Sequence, residues 1–304
     1  MPFQMLTALD LAAWEWKAIA RHAPWQMTRM NLNTFQRHGV FDDADLVGLV
    51  ADRLRDAQLV RQARAFPYQL LAAYTAAVNQ LPLPITEALQ DAMEIAVSNV
   101  PAVTGKVCVF PDVSGSMQSP VTGFRKGSTT AVRCIDVAAL VAALVAAAVL
   151  RQNRDALILP FSDRVVPVSL NPRDSVMTNA STLASLPSGG TNCSAPLAEL
   201  NARHAEADLV IYVSDNQSWI ETACQPAVGP TATMKQWERF KRHNPRARMI
   251  CIDLQPYGST QAAESGEVFN VGGFSDQVFD LIAAVAAGQT TQGYWVQQIE
   301  AVSI

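Results

Sequence analysis

The chain has 304 residues, with 27 acidic against 23 basic side chains and a formal charge of −4, so no overall basic field advertises a polyanionic partner. That length allows one large or two ordinary domains around a buried core, and the composition is that of a soluble globular protein. Five cysteines (Cys108, Cys134, Cys193, Cys224, Cys251) stand apart without a Cys-x-x-Cys pair, which argues against a disulfide framework or zinc site and for a reducing, cytoplasmic compartment.

The opening residues lack the charged start and continuous apolar stretch of a signal peptide. From residue 6 to about 99 the pattern is helical only. Apolar residues recur at helical spacing over 9–19. A second helix is expected at 33–38 with Gly39 as its stop, and a third begins at the acids Asp42, Asp43 and Asp45 and runs through Leu54. Two more are expected at 67–78 and 86–97. Paired helices without a sheet suggest helical repeats. Arg53, Arg55, Arg61 and Arg64 gather here with Asp52 and Asp56, and the spacing of Arg61 and Arg64 puts both on one helix face. That face is either simply solvated or a phosphate-binding patch. Trp14, Trp16 and Trp25 read as core or repeat-interface residues, with base stacking as the alternative.

From Lys106 onward strands and helices alternate: strands at 107–111, 156–161, 209–214, 249–254 and 268–271, helices at 132–150, 175–186, 195–205, 234–243 and 276–287. Alternation of this kind means a parallel sheet covered on both faces. Residues 165–169 read as a short antiparallel edge, where Pro167 is tolerated. The alanine-rich run 137–150 is too short to span a bilayer and reads as a buried helix. The apolar tail at 293–299 packs at a place the pattern does not specify.

Chemistry concentrates at the carboxyl ends of three strands. Asp112-Val113-Ser114-Gly115-Ser116 puts a carboxylate and two hydroxyls on alternate residues of a tight turn, Thr191 follows two glycines in a loop before a helix, and Asp215 ends an apolar strand. Hard oxygen donors on such turns suit Mg²⁺ or another divalent ion such as Mn²⁺. In an open α/β sheet all three loops would meet outside the strand ends. Only two of the five ligands are carboxylates, so an acidic group or phosphate oxygen from a partner would complete the shell. A haloacid-dehalogenase-type phosphatase needs a second aspartate where Ser114 stands, and Ser114 cannot serve as its acid/base. No P-loop, Gly-x-Ser-x-Gly or His-Glu-x-x-His occurs, and the four histidines are scattered, so no enzyme is expected. Cys193 reads as a small packed side chain, or as a thiolate favoured by a helix start. Arg125, Lys126 and Arg133 in the loop after the turn offer an anion-receiving rim or a solvated loop.

This set, Asp-x-Ser-x-Ser with a later Thr and Asp, resembles the metal-ion-dependent adhesion site of von Willebrand factor A domains. Helical repeats running straight into an A domain resemble, in turn, the C-terminal part of TROVE (Ro autoantigen-type) ribonucleoproteins. The stretches that carry this resemblance are 63–74, 187–194 and 213–216. The resemblance implies an α/β fold, a doubly wound, mostly parallel A domain at 101–290 preceded by a small all-α, HEAT-like helical-repeat segment at 1–100 and followed by a tail at 291–304. It implies noncoding RNA as partner, with no membrane association. It carries the metal site onto Asp112, Ser114, Ser116, Thr191 and Asp215. About a hundred residues precede Asp112, where that family carries several hundred, so one such chain is expected not to close a ring. A missing N-terminal half, self-association, or a module keeping only the A-domain function would each account for that. A protein partner presenting an Asp or Glu to the metal is the rival to RNA.

Overall fold

The computed structural model describes residues 6, 9–122, 132–152, 156–215, 231–255, 262, 265–290 and 300, with backbone alone at 145–152. The chain divides into two compact units, Met1–Val100 with Thr129–Val132, and Pro101–Ser128 with Arg133–Ile304.

The described part of the first unit is helical: α1 (Ala13–His22), α2 (Trp25–Met30), α3 (Leu32–Arg37), α4 (Ala44–Leu54), α5 (Ala57–Gln62), α6 (Pro67–Ala77) and α7 (Leu83–Ala96). Asp43 caps α4, its carboxylate accepting from the Asp45 and Leu46 backbone N–H groups, as acids at a helix start should. Helix α7 packs against α4 and α6 around Leu46, Val50, Leu54, Leu70, Ile85, Leu89 and Met93, all buried. Helix α2, starting directly after Pro24, is an addition to the helices expected from the pattern.

Two expectations for this unit need correcting. Trp16 and Trp25 are buried, but Trp14 is 70% exposed. Helix α1 buries Trp16 and Ala20, and a residue two positions from Trp16 is turned about 200° away from it. Arg61 and Arg64 do not share a helix face, because α5 ends at Gln62 and Arg64 is left-handed at φ 46°. The Arg64 N–H donates to Arg61 C=O and the Ala65 N–H to Val60 C=O, the paired bonds of a Schellman ending. Both arginines are exposed, whereas Arg53 donates to Ala20 C=O, Arg21 C=O and Thr28 Oγ1.

The second unit is a five-stranded sheet of β1 (Val107–Pro111), β2 (Leu157–Ile158), β3 (Leu209–Ser214), β4 (Arg248–Asp253) and β5 (Val268–Gly272), all pairs parallel, in the order β2-β1-β3-β4-β5. It is the α/β, doubly wound A-domain architecture. Helices α8 (Cys134–Gln152), α9 (Val176–Ala184), α10 (Ala195–Ala202), α11 (Ala232–His243) and α12 (Val278–Ala286) form the covering layers. On one face Cys108, Phe110, Val210, Tyr212 and Met249 pack with Leu197 and Leu200 of α10 and Trp237 and Phe240 of α11. Helix α8 packs on β1 and β3, and none of the described helices is long and apolar enough to cross a membrane.

The expected strand at 156–161 forms regular ladder only at 157–158, although Leu159 and Phe161 still donate to Val109 C=O and Pro111 C=O. The edge expected at 165–169 is a single antiparallel bridge, Phe161 with Val165. Val166 N–H turns back to Pro160 C=O, and Pro167 has no N–H to extend a ladder. The tail at 293–299 lies outside the described residues.

Candidate metal centre

The strand order reverses between β1 and β3: the chain leaves β1 toward β2 on one side and β3 toward β4 on the other. Such a switch point opens a crevice at the strands' carboxyl ends. Asp112 follows β1 directly and Asp215 follows β3 directly, so the topology delivers both carboxylates to that crevice.

Asp112 and Ser114 have no exposed surface (0%). Asp112 Oδ1 accepts the Ser114 N–H at 2.8 Å and Oδ2 accepts the Ser214 hydroxyl at 2.6 Å. Ser114 Oγ lies 3.2 Å from Ser116 Oγ, so the alternate residues of the turn converge as their spacing requires. Ser116 sits at the start of a 3₁₀ turn, Gly115–Gln118, and is partly exposed. Gly115 N–H donates to Gly189 C=O at 3.1 Å, which brings the glycine loop, and Thr191 two residues on, against the Asp-x-Ser-x-Ser turn. That loop is held further by Asn192 N–H to Ser162 C=O, 2.7 Å, and by Tyr212 OH to Cys193 C=O, 2.8 Å. Thr191 and Asp215 are both buried.

The electrostatics fit a cation. Burial pushes Asp112 up to about 6, with the nearby Asp215 charge adding to the rise, while the Ser114 and Ser214 hydrogen bonds oppose it. Cys134, at the start of α8, is pushed up to about 11, mainly by burial and further by Asp215, Asp112 and Asp253. Three carboxylates therefore act on one small region. Two buried aspartates flanked by serine and threonine hydroxyls are a donor set that a hard divalent ion would satisfy. Among the described residues no group of three or more His, Cys, Asp and Glu stands ready for a metal, so the hydroxyls are essential to this set.

Other anticipated residues are placed differently. Arg125 and Lys126 lie outside the described residues. Arg133 is not a free rim cation, for its guanidinium donates to both Asp136 carboxylate oxygens and, at 2.6 Å, to Gln118 Oε1. It thereby ties the turn carrying Ser116 to the first turn of α8. Cys193 is fully buried in the apolar cluster beside α10, the environment of a packing residue.

Two contributors escaped the sequence. Ser214 faces Asp112 because the β1–β3 register runs to Pro111 opposite Val213; aligning the two apolar runs from Val107 and Leu209 would have found it. Gln255 donates through Nε2 to Pro120 C=O and to Cys134 Sγ, fastening the loop after β4 to the end of the metal turn. No spacing signals that contact.

Comparison with known proteins agrees with the architecture. The model of the Ro60 vWA domain family matches residues 106–286. A curated protein of Deinococcus radiodurans, RNA-binding protein RO60, is 26% identical over 271 residues, covering 85% of this chain and 48% of its own length. The chain thus spans about half the length of that relative. The crystal structure of the Deinococcus radiodurans RO (RSR) protein superposes with a TM-score of 0.72 at 22% identity, over 92% of this chain and 56% of the other.

Proposed function

This chain belongs to the Ro60 vWA domain family, and on that footing we propose that it is a non-enzymatic RNA-binding protein of Ro type. The observation that carries the proposal is similarity across 85% of the chain to a relative named as an RNA-binding protein. In this reading noncoding RNA is the partner. The A domain holds Mg²⁺ or Mn²⁺ on Asp112, Ser114, Ser116, Thr191 and Asp215, and the ion accepts a phosphate oxygen. A cytoplasmic location and self-association belong to the same reading.

A second reading follows from the donor set. With two carboxylates and three neutral hydroxyls around a divalent ion, a partner protein's Asp or Glu would serve as well as a phosphate.

The deciding experiment is fluorescence anisotropy of a labelled structured RNA with a single-stranded tail, titrated with the full chain across salt, in Mg²⁺ and in EDTA. Submicromolar binding that weakens as salt rises supports the RNA reading. Binding no stronger than background overturns it, and an acidic peptide released by EDTA would then establish the second.

A further inference from the structure

The chain is acidic overall, yet residues 231–248 contain Lys235, Arg239, Lys241, Arg242, His243, Arg246 and Arg248 against the single acid Glu238. Helix α11 shows how these cations are sorted. Its inner face is Thr233, Trp237 and Phe240, continued by Asn244 past the helix end, all buried. Lys235, Arg239 and Arg242 repeat the spacing of Thr233, Trp237 and Phe240 two residues later, which turns them about 200° from the packed face, and Arg246 follows in the turn after Pro245. All four are exposed. Two further cations are used inside the fold: Lys241 donates to Pro245 C=O and Ala247 C=O and pairs with Glu267 at 2.7 Å, and Arg248 donates to Val285 C=O. Among the described residues no carboxylate pairs with Lys235, Arg239, Arg242 or Arg246, whereas Arg55 pairs with two, and Arg133 and Arg203 with one each.

The single acid, Glu238, stands three residues from Lys235 and four from Arg242, yet among the described residues it makes no ion pair, and one acid leaves the row strongly positive. The stripe from Lys235 to Arg242 extends roughly 10 Å along the helix, a rigid row of positive charge held by a packed aromatic face.

We propose that Lys235, Arg239, Arg242 and Arg246 bind the phosphate backbone of RNA on the A domain, separately from the metal centre. This rests on the RNA-binding reading above and locates part of its interface. Point charges along a helix follow a backbone and read no base, so the binding is sequence-independent and screened by salt.

The test compares the full-length wild type with Lys235→Gln/Arg239→Gln/Arg242→Gln/Arg246→Gln, measuring anisotropy of a labelled single-stranded RNA across salt. At about 0.1 M salt the variant is expected to bind at least tenfold more weakly. Its log K against log[salt] should be shallower by about 0.7 for each phosphate that is no longer neutralised. The charge-preserving variant Lys235→Arg/Arg239→Lys/Arg242→Lys/Arg246→Lys should stay within about threefold of wild type. If the fourfold variant does not fold, Arg239→Gln/Arg242→Gln carries the same test with a smaller loss. Wild-type affinity in a folded Gln variant overturns the stripe while leaving the RNA-binding reading intact; an RNA-silent wild type removes both. Displacement of bound RNA by phosphatidylserine vesicles at equal phosphate would reassign the stripe to a membrane surface and overturn the proposal.

Discussion

Asp112 is fully buried beside Asp215, and burial pushes its carboxyl up to about 6. A carboxyl raised in the folded state favours folding when protonated, so without metal that contribution is present below about pH 4 and lost as pH rises through about 6. Holding the charge at neutral pH costs roughly 3 kcal/mol. Asp112→Asn keeps the shape and removes the charge, so at pH 7.5 the metal-free variant should melt several degrees above metal-free wild type, with the gap closing at pH 5. Mg²⁺ should raise the melting temperature of wild type alone. A variant still stabilised by Mg²⁺ would sink the ligand assignment. Because the ion binds the carboxylate, Mg²⁺ affinity measured calorimetrically should be roughly tenfold weaker at pH 5 than at pH 7.5. Equal affinities would show that Asp112 is not the titrating ligand.

Among the elements, the ends of helices decide what the sequence could reveal. Arg64 occupies a left-handed position that glycine fills without strain, so Arg64→Gly should stabilise the chain by about 0.5–1 kcal/mol in chemical denaturation, and a destabilised variant would contradict the Schellman ending. The turn bearing Ser116 is held through Gln118 by Arg133. Arg133→Gln should weaken Mg²⁺ severalfold while changing stability by less than about 1 kcal/mol, since the pair is half exposed. Unchanged affinity would make the clamp purely structural. The strands at 107–111 and 209–214 are legible to the residue, because continuous apolar runs end abruptly at Asp112 and Asp215. The candidate ligands Asp112 and Asp215 can therefore be named from the sequence. The edge at 165–169 fails because valines alone cannot build a ladder beside Pro167, and α2 escapes because it runs almost directly into α3 with no stop of its own, whereas Gly39 marks the end of the equally short α3. Ser214, Gln255 and the clamp role of Arg133 depend on strand register and loop packing, which local pattern does not encode.

Over the whole molecule, charge is segregated in a way the net value of −4 conceals. A total weighs against a polyanion, and loop composition points to cations beside the metal turn. The exposed cations of α11, without an ion-pair partner among the described residues, instead run along a helix that returns from the carboxyl end of β3 to the amino end of β4. A helix in that connection runs antiparallel to the strands, so Arg242 and Arg246 lie toward the strand ends opposite Asp112, about 20 Å away for a six-residue strand. Groups that far apart on one ligand should contribute independently. If the ion takes one phosphate and the far end of the stripe takes others, the loss in RNA binding free energy for Asp112→Ala combined with Arg242→Gln/Arg246→Gln should equal the sum of the separate losses within about 0.5 kcal/mol. Competition anisotropy on the three variants measures this directly. A combined loss no greater than that of the stripe variant alone would mean that the ion never touches RNA, and its open position would fall to an acidic protein partner.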